Sequence, residues 1–206
     1  MTLNGDYFDA VYAEGTDPFR LRANWYEERK YSITVASLPR AQYRRGLEPG
    51  CSVGVLTEKL SARCETLIST DIVDSVLNTA RAAVDDATVN FVKWSLTDDW
   101  SAVAGEEPFD LIVLSEVGYY LDEPDLRRAV DSAAAHLEPG GTLLAVHWRH
   151  HVTDYPLTGD RVHTVIGENA ELERLGGYMD EDFVLDVFTT SRGDAKQSVA
   201  RREGLV

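Results

Sequence analysis

Gly46-Leu47-Glu48-Pro49-Gly50-Cys51-Ser52-Val53-Gly54-Val55-Leu56-Thr57 joins a short apolar run to the start of an amphipathic one. The pattern reads as a strand over Gly46–Glu48, a glycine-bearing loop, and a helix starting near Leu56. A strand, Gly loop and helix near the start of an α/β domain form a common cradle for a cofactor. The loop spells Glu48-x-Gly50-x-x-x-Gly54 and lacks the Gly-x-Gly-x-x-Gly of dinucleotide sites. That difference decides which cofactor the cradle suits.

Outward from the loop, helical and strand periodicities alternate. Leu56, Leu60 and Cys64 line one helix face. Thr66–Thr70 follows as a strand ending at Asp71, and Asp74 or Ser75 caps a helix carrying Val76, Leu77, Ala80 and Val84. Val89–Val92 is the third strand. Phe109–Leu114 is the fourth and most apolar, as suits the middle of a parallel sheet. A helix over Asp122–Leu137 ends at Glu138-Pro139-Gly140-Gly141, and Thr142–Val146 is the fifth strand. Next come a helix over Asp160–Leu175 stopped by Gly176-Gly177, a strand over Asp182–Thr190, a turn at Ser191–Asp194 and a strand over Gln197–Arg201. Ahead of the loop, Tyr7–Thr16 is a short helix or irregular arm, and Asp17-Pro18 marks a turn or helix start. Phe19–Leu38 is a helix stopped by Pro39, and Arg40–Arg45 is too basic for a good strand. The helix before the loop lies either across the cofactor end of the sheet as a lid or flat on the sheet.

The expected fold is α/β: a Rossmann-like, doubly wound, mostly parallel sheet with an antiparallel closing hairpin and an N-terminal helical lid. Its 206 residues suit one domain over 1–206, with 1–45 as a helical cap and 46–206 as the core. A formal charge of -15 repels phosphates and disfavours a nucleic-acid partner. No apolar run is long enough for a membrane helix, and the acidic start does not read as a signal peptide. Two cysteines are too few for a disulfide framework, which suits a reduced, cytoplasmic protein. Composition leaves monomer and homodimer open.

Asp71, at the end of the second strand, faces the crevice where an acid accepts hydrogen bonds from a ribose diol. Such bonds contribute roughly 1.5–3 kcal/mol each; the alternative is a cap on the following turn. A pyrophosphate needs backbone N–H groups brought close, hence glycine at the middle of dinucleotide loops, where this chain has Ser52. Glu48 is a poor neighbour for a pyrophosphate and a good acceptor for an ammonium. Together these favour S-adenosylmethionine over NAD.

The chain resembles the class I S-adenosylmethionine-dependent methyltransferases, and within them the nodulation protein S family of N-methyltransferases. The likeness spans almost the whole chain. It is carried by Asp17-Pro18-Phe19, Trp25-Tyr26-Glu27, Arg29-Lys30-Tyr31, Leu38-Pro39-Arg40, Tyr43-Arg44-Arg45, Glu48 to Ser52, Leu56-Thr57, Phe109 to Val113, Ser115-Glu116-Val117, Tyr119-Tyr120-Leu121 and His147-Trp148-Arg149. The resemblance implies that Glu48, Gly50, Cys51, Ser52, Gly54 and Thr57 surround the methionine part of the cofactor. It places Asp71 on the ribose, Ile72 on the adenine face, and Trp94, Ser95 and Leu96 at the adenine edge. Many class I enzymes have Asp where Ser95 stands. Ser115, Glu116 and Val117 would meet the amine and the methyl group, and Tyr31 or Arg29 would close over the carboxylate.

Methyl transfer from a sulfonium is an in-line displacement, so positioning is the main task of the protein. An amine acceptor must also be neutral, which a nearby acid or His can secure. Glu116 is the first choice to orient and neutralise the amine; an N-cap or an ion pair is its structural alternative. His147 is the candidate base. Tyr119 and Tyr120 could box a cationic amine, Trp148 could stack on a sugar ring, and His151 lies near. His147, His150 and His151 come from one strand end without a supporting acid pair or cysteine, and no metal is expected. The resemblance implies a small-molecule or oligosaccharide amine as acceptor, an amino sugar such as a deacetylated chitin-like end being one example. Methylation of oxygen or of another metabolite is the alternative.

Overall fold

The computed structural model describes residues 1–191 and 198–206. Helices α1 (Gly5–Ala13) and α2 (Trp25–Ala36) precede the sheet. Then follow β1 (Tyr43–Pro49), α3 (Val55–Ser61), β2 (Cys64–Asp71), α4 (Asp74–Ala83), β3 (Val89–Lys93), α5 (Ser101–Ala104) and β4 (Phe109–Ser115). A 3₁₀ turn over Gly118–Tyr120 leads into α6 (Glu123–His136), β5 (Leu137–Trp148), α7 (Gly159–Gly167), β6 (Leu172–Met179), β7 (Phe183–Thr190) and α8 (Val199–Arg202). The strands form one seven-stranded sheet in the order β3-β2-β1-β4-β5-β7-β6. Strands β3 to β5 are mutually parallel, and β7 runs antiparallel to β5 and β6. This is the Rossmann-like sheet with its closing hairpin. Chain order reverses between β1 and β4, so the ligand crevice of such a sheet lies above their C-terminal ends.

β4 is buried along its whole length because both faces of the sheet are covered. Ile112 and Leu114 pack with α5, α6 and α7 on one side. Leu111 and Val113 face the other core with α2 and α3. Alternate residues of one strand thus feed two cores, which requires a continuous apolar run.

Strand β1 starts at Tyr43, ahead of the expected Gly46, so the sheet reaches into the segment expected as cap. Two arginines are tolerated there because Asp110 accepts from the backbone N–H groups of Arg44 and Arg45, each at 2.8 Å. The Arg45 guanidinium donates to the carbonyls of Ala104 and Val103 and lies 4.4 Å from the centre of the Phe109 ring. Helix α2 starts at Trp25, not Phe19, since Asp17 accepts from Leu21 and Arg22 N–H and holds a turn there. Neither Asp74 nor Ser75 caps α4; Val73 holds the cap position without a side-chain bond, and its N–H donates to Asp71.

α6 ends at His136, just ahead of Glu138–Gly141 as expected, but β5 begins at Leu137 and not Thr142, and carries that segment as a register shift against β4. The helix expected to reach Leu175 ends at Gly167, and Gly176-Gly177 lies inside β6. A Cβ on Gly177 would meet Leu185 O at 2.4 Å, so glycine there permits close pairing with β7. The closing hairpin is therefore β6–β7. Of the turn and strand expected over 191–201, residues 192–197 lie outside the described residues, and Val199–Arg202 is helical.

Candidate functional site

Above the switch point lies a cavity of about 400 Å³. The loop after β1 forms its floor. Gly50 has φ of +72°, and a Cβ there would fall 2.2 Å from Val117 Cγ1. This glycine lets the loop after β1 press against the segment after β4. Ser52 also takes a positive φ of 48°. Its N–H donates to Asp71 Oδ2 at 3.0 Å, and its hydroxyl lies 2.7 Å from the Tyr12 hydroxyl of α1. Asp71 thus ties the loop to the following turn, where Oδ1 accepts from Val73 N–H at 3.1 Å. A carboxylate has about four lone-pair sites, and the Ile72 backbone also donates here, so limited acceptor capacity remains for a ligand. Both structural roles and a ligand role are compatible at this residue.

Glu48, at the end of β1, is buried. Its Oε2 accepts from Thr57 Oγ1 at 2.7 Å and Ser69 Oγ at 2.8 Å. Burial pushes its carboxyl up to about 7, against the lowering effect of those two hydroxyls. An incoming ammonium would favour the ionised form.

Glu116 follows β4 in a left-handed conformation, φ 58°. Its Oε1 accepts from Lys30 Nζ at 2.6 Å; its Oε2 accepts from the Trp148 N–H at 3.0 Å and from the Tyr119 hydroxyl. Lys30 also stands 2.9 Å from Glu27 Oε2. With 2% of its side chain exposed, Lys30 loses solvation, but Glu116 and Glu27 outweigh that loss and raise its pKa. The ring centres of Tyr26 and Tyr31 lie 5.0 and 5.3 Å from its ammonium.

Most residues singled out from sequence line this cavity: Tyr31, Glu48, Gly50, Cys51, Ser52, Asp71, Ile72, Trp94, Ser95, Leu96, Ser115, Glu116 and Val117, with Tyr119, Tyr120 and Trp148 on the β4–β5 side. Five do not line it. Arg29 points to the β6–β7 hairpin, donating to Asp180 at 2.9 Å and to the Tyr178 hydroxyl, so it cannot close over a carboxylate in the cavity. Gly54 has φ +82° at the start of α3 and packs against Ala80 and Val84. Thr57 sits buried beneath Glu48. His151 is exposed outside the cavity.

His147 is fully buried. Its Nε2 accepts from Gly118 N–H at 3.0 Å, and its Nδ1 faces His163 Nε2 at 3.1 Å. Both nitrogens are engaged away from the cavity, so His147 is not a base for the acceptor. Burial, then His163 and Lys30, hold its pKa well below the usual value.

Sequence reasoning overlooked Tyr26, Glu27, Lys30, Phe8, Tyr12 and Tyr155, all of which line the cavity. A signal existed for two of them. Once Tyr31 is placed inward on α2, Glu27 at i−4 shares its face, and Lys30 is i+3 from Glu27.

The cavity fits S-adenosylmethionine on its own chemistry. Asp71 keeps acceptor capacity for ribose hydroxyls, and Ile72, Trp94 and Leu96 offer apolar surface for a purine. Glu48 offers an acid to an ammonium, and Lys30 is the cationic side chain among the lining residues. The glycine-cradled loop carries no free run of N–H groups for a pyrophosphate, since Cys51 N–H bonds Thr70 O and Ser52 N–H bonds Asp71. A switch-point cavity built this way defines a class I S-adenosylmethionine-dependent methyltransferase.

Comparison with known proteins carries this to a family. The profile of nodulation protein S (NodS) matches residues 11–166. Nodulation protein S of Rhizobium tropici is 35% identical over 130 residues, 62% of this chain and 53% of that protein, so the match spans about half of the relative. That of Sinorhizobium fredii (strain NBRC 101917 / NGR234) is 30% identical over 184 residues, 85% of this chain and 84% of the relative. The crystal structure of N-methyltransferase NodS from Bradyrhizobium japonicum WM9 in complex with S-adenosyl-l-homocysteine superposes with a TM-score of 0.78 at 25% identity, covering 91% of this chain and 98% of that one. The chain belongs to the nodulation protein S family, and its cofactor is S-adenosylmethionine. No helix among the described residues is long and apolar enough to cross a membrane.

Proposed function

We propose that this methyltransferase acts on the nitrogen of a small cationic amine, an amino sugar or its oligomer being the class of acceptor that fits. The observation that carries the reading is the pairing of Glu116 with aromatic rings. Tyr119 and Tyr155 stack at 4.8 Å, Tyr120 meets both edge-on at 4.8 Å, and Tyr26 meets Trp148 edge-on at 5.1 Å. Ring faces beside a carboxylate attract an ammonium and exclude water, whereas a neutral hydroxyl gains little from them. The N-methyltransferase named among the similar structures supports the same reading.

In this account the chain works as one catalytic unit, with the segment before β1 forming a wall of the cavity. Glu48 and the Gly50–Ser52 loop hold the amino-acid part of the cofactor, and Lys30 faces its carboxylate. Asp71 holds the ribose, while Ile72, Trp94, Ser95 and Leu96 border the adenine. Ser115 and Val117 flank the reacting region. When bound, S-adenosylmethionine supplies an electrophilic methyl group on a cationic sulfur. Glu116 has three donors in place and one lone-pair site left, which accepts from the acceptor nitrogen and fixes its direction. Its carboxylate then takes up the proton that a protonated amine must release before its lone pair can react.

The test is product mass spectrometry with a panel of glucosamine oligomers and their N-acetylated counterparts. Addition of one methyl group to the free amines alone is expected. Methylation of the N-acetylated forms to the same extent would move the reading to oxygen.

A further inference from the structure

Four side chains from four elements form a single file behind the acceptor wall. Arg174 Nε on β6 donates to Asp186 Oδ1 on β7 at 2.6 Å. Asp186 Oδ2 lies 2.6 Å from His163 Nδ1 on α7, His163 Nε2 lies 3.1 Å from His147 Nδ1 on β5, and His147 Nε2 lies 3.0 Å from Gly118 N. The two rings meet edge to face at 5.2 Å and 82°. The histidines and Asp186 are buried.

Both ends of this file are groups that can only donate: the Gly118 N–H and the Arg174 guanidinium. Gly118 N–H requires a bare lone pair on His147 Nε2. A neutral His147 then carries its proton on Nδ1 and donates it to His163 Nε2. His163 in turn carries Nδ1–H and donates to Asp186. Every donor meets one acceptor, and only one order of protons satisfies all four links.

What the file holds is the 3₁₀ turn. Gly118 approaches so closely that a Cβ would stand 2.5 Å from Val162 Cγ1 and 3.0 Å from His147 Nε2. The next residue, Tyr119, donates to Glu116 and stacks on Tyr155. The turn therefore aims both the ring wall and the acid assigned to the acceptor.

We propose that His147 and His163 are positioning residues for the acceptor: through Gly118 they set Tyr119 and Glu116, without touching either reactant. The inference rests on the acceptor reading above, and its test separates the two. In long-range proton–nitrogen NMR of the full chain, both histidines should show a protonated Nδ1 and a bare Nε2. An Nε2-protonated His147 would overturn the proposal whatever the acceptor is. With a glucosamine oligomer as acceptor, His147→Phe should raise the acceptor KM about tenfold, as expected for an unpaired buried donor. Calorimetric affinity for S-adenosylhomocysteine should stay unchanged. His147→Gln, which returns an acceptor atom near the position of Nε2, should restore KM to near wild type and keep the Gly118 amide slow to exchange, whereas His147→Phe speeds that exchange. Equal loss in both variants, loss of cofactor affinity, or unchanged Gly118 exchange in His147→Phe would each overturn the proposal. Wild-type inactivity toward amines would count against the acceptor reading alone and leave the NMR and exchange results to decide this one.

Discussion

The Lys30 ammonium bridges α2 and the end of β4, 2.6 Å from Glu116 Oε1 and 2.9 Å from Glu27 Oε2. Among the lining residues Lys30 is thus the positive group holding two acids, Glu27 on α2 and Glu116 after β4. Lys30→Met leaves two partly buried carboxylates facing each other. Breaking a buried ion pair from one side costs about 3–5 kcal/mol, so urea denaturation should show a loss of that order. Pairing it with Glu116→Gln should recover part of the loss. Arg29→Ala removes a partly exposed pair with Asp180, which solvent screens, and should cost far less.

The contrast between Arg29 and Lys30 shows where sequence reading stops. Loop, β4 and Asp71 were legible because their signals are local: a glycine spacing, an uninterrupted apolar run, an acid at a strand end. The inward neighbour of Tyr31 was not, because adjacent helix residues differ by about 100° in direction and only the packed sheet says which of them faces the cavity. The start of β1 was hidden for a related reason. Its arginines look unfit for a strand until Asp110, 65 residues on, accepts from their backbone. His147 stands beside Trp148 in sequence, but neighbours on a strand point to opposite faces, and its partner His163 comes from the following helix.

Gly50→Ala should weaken both fold and cofactor binding, since the new methyl meets Val117 at 2.2 Å in a left-handed conformation. Thermal denaturation should show destabilisation of about 1–3 kcal/mol. Adding Val117→Ala should relieve the clash but not the backbone strain, giving partial recovery.

Asp71→Ala removes the acceptor for Ser52 and Val73 N–H and for the ribose. Loss of about 1.5–3 kcal/mol of charged hydrogen bonding corresponds to roughly a ten- to hundredfold weaker S-adenosylhomocysteine affinity by calorimetry. Unchanged affinity would remove Asp71 from the cofactor site.

The Glu48 carboxyl, raised from 4.5 to about 7 by burial, binds a proton more readily folded than unfolded. Its contribution to stability is therefore full below pH 4.5 and is lost as pH rises through 7. A shift of this size corresponds to about 3 kcal/mol. Other groups titrate in the same range, and His147, held low by burial, acts with the opposite sign. The difference between wild type and Glu48→Gln isolates the effect: in the ligand-free protein, wild type should lose stability relative to the variant between pH 4.5 and 7.

The most direct measurement supplies S-adenosylmethionine carrying a carbon-13 methyl group together with a glucosamine oligomer, and follows the label by NMR. A labelled methyl resonance on the amine nitrogen is the expected result, lost in Glu116→Gln. A labelled O-methyl resonance, or no transfer to any amine while S-adenosylhomocysteine binds normally, would contradict it.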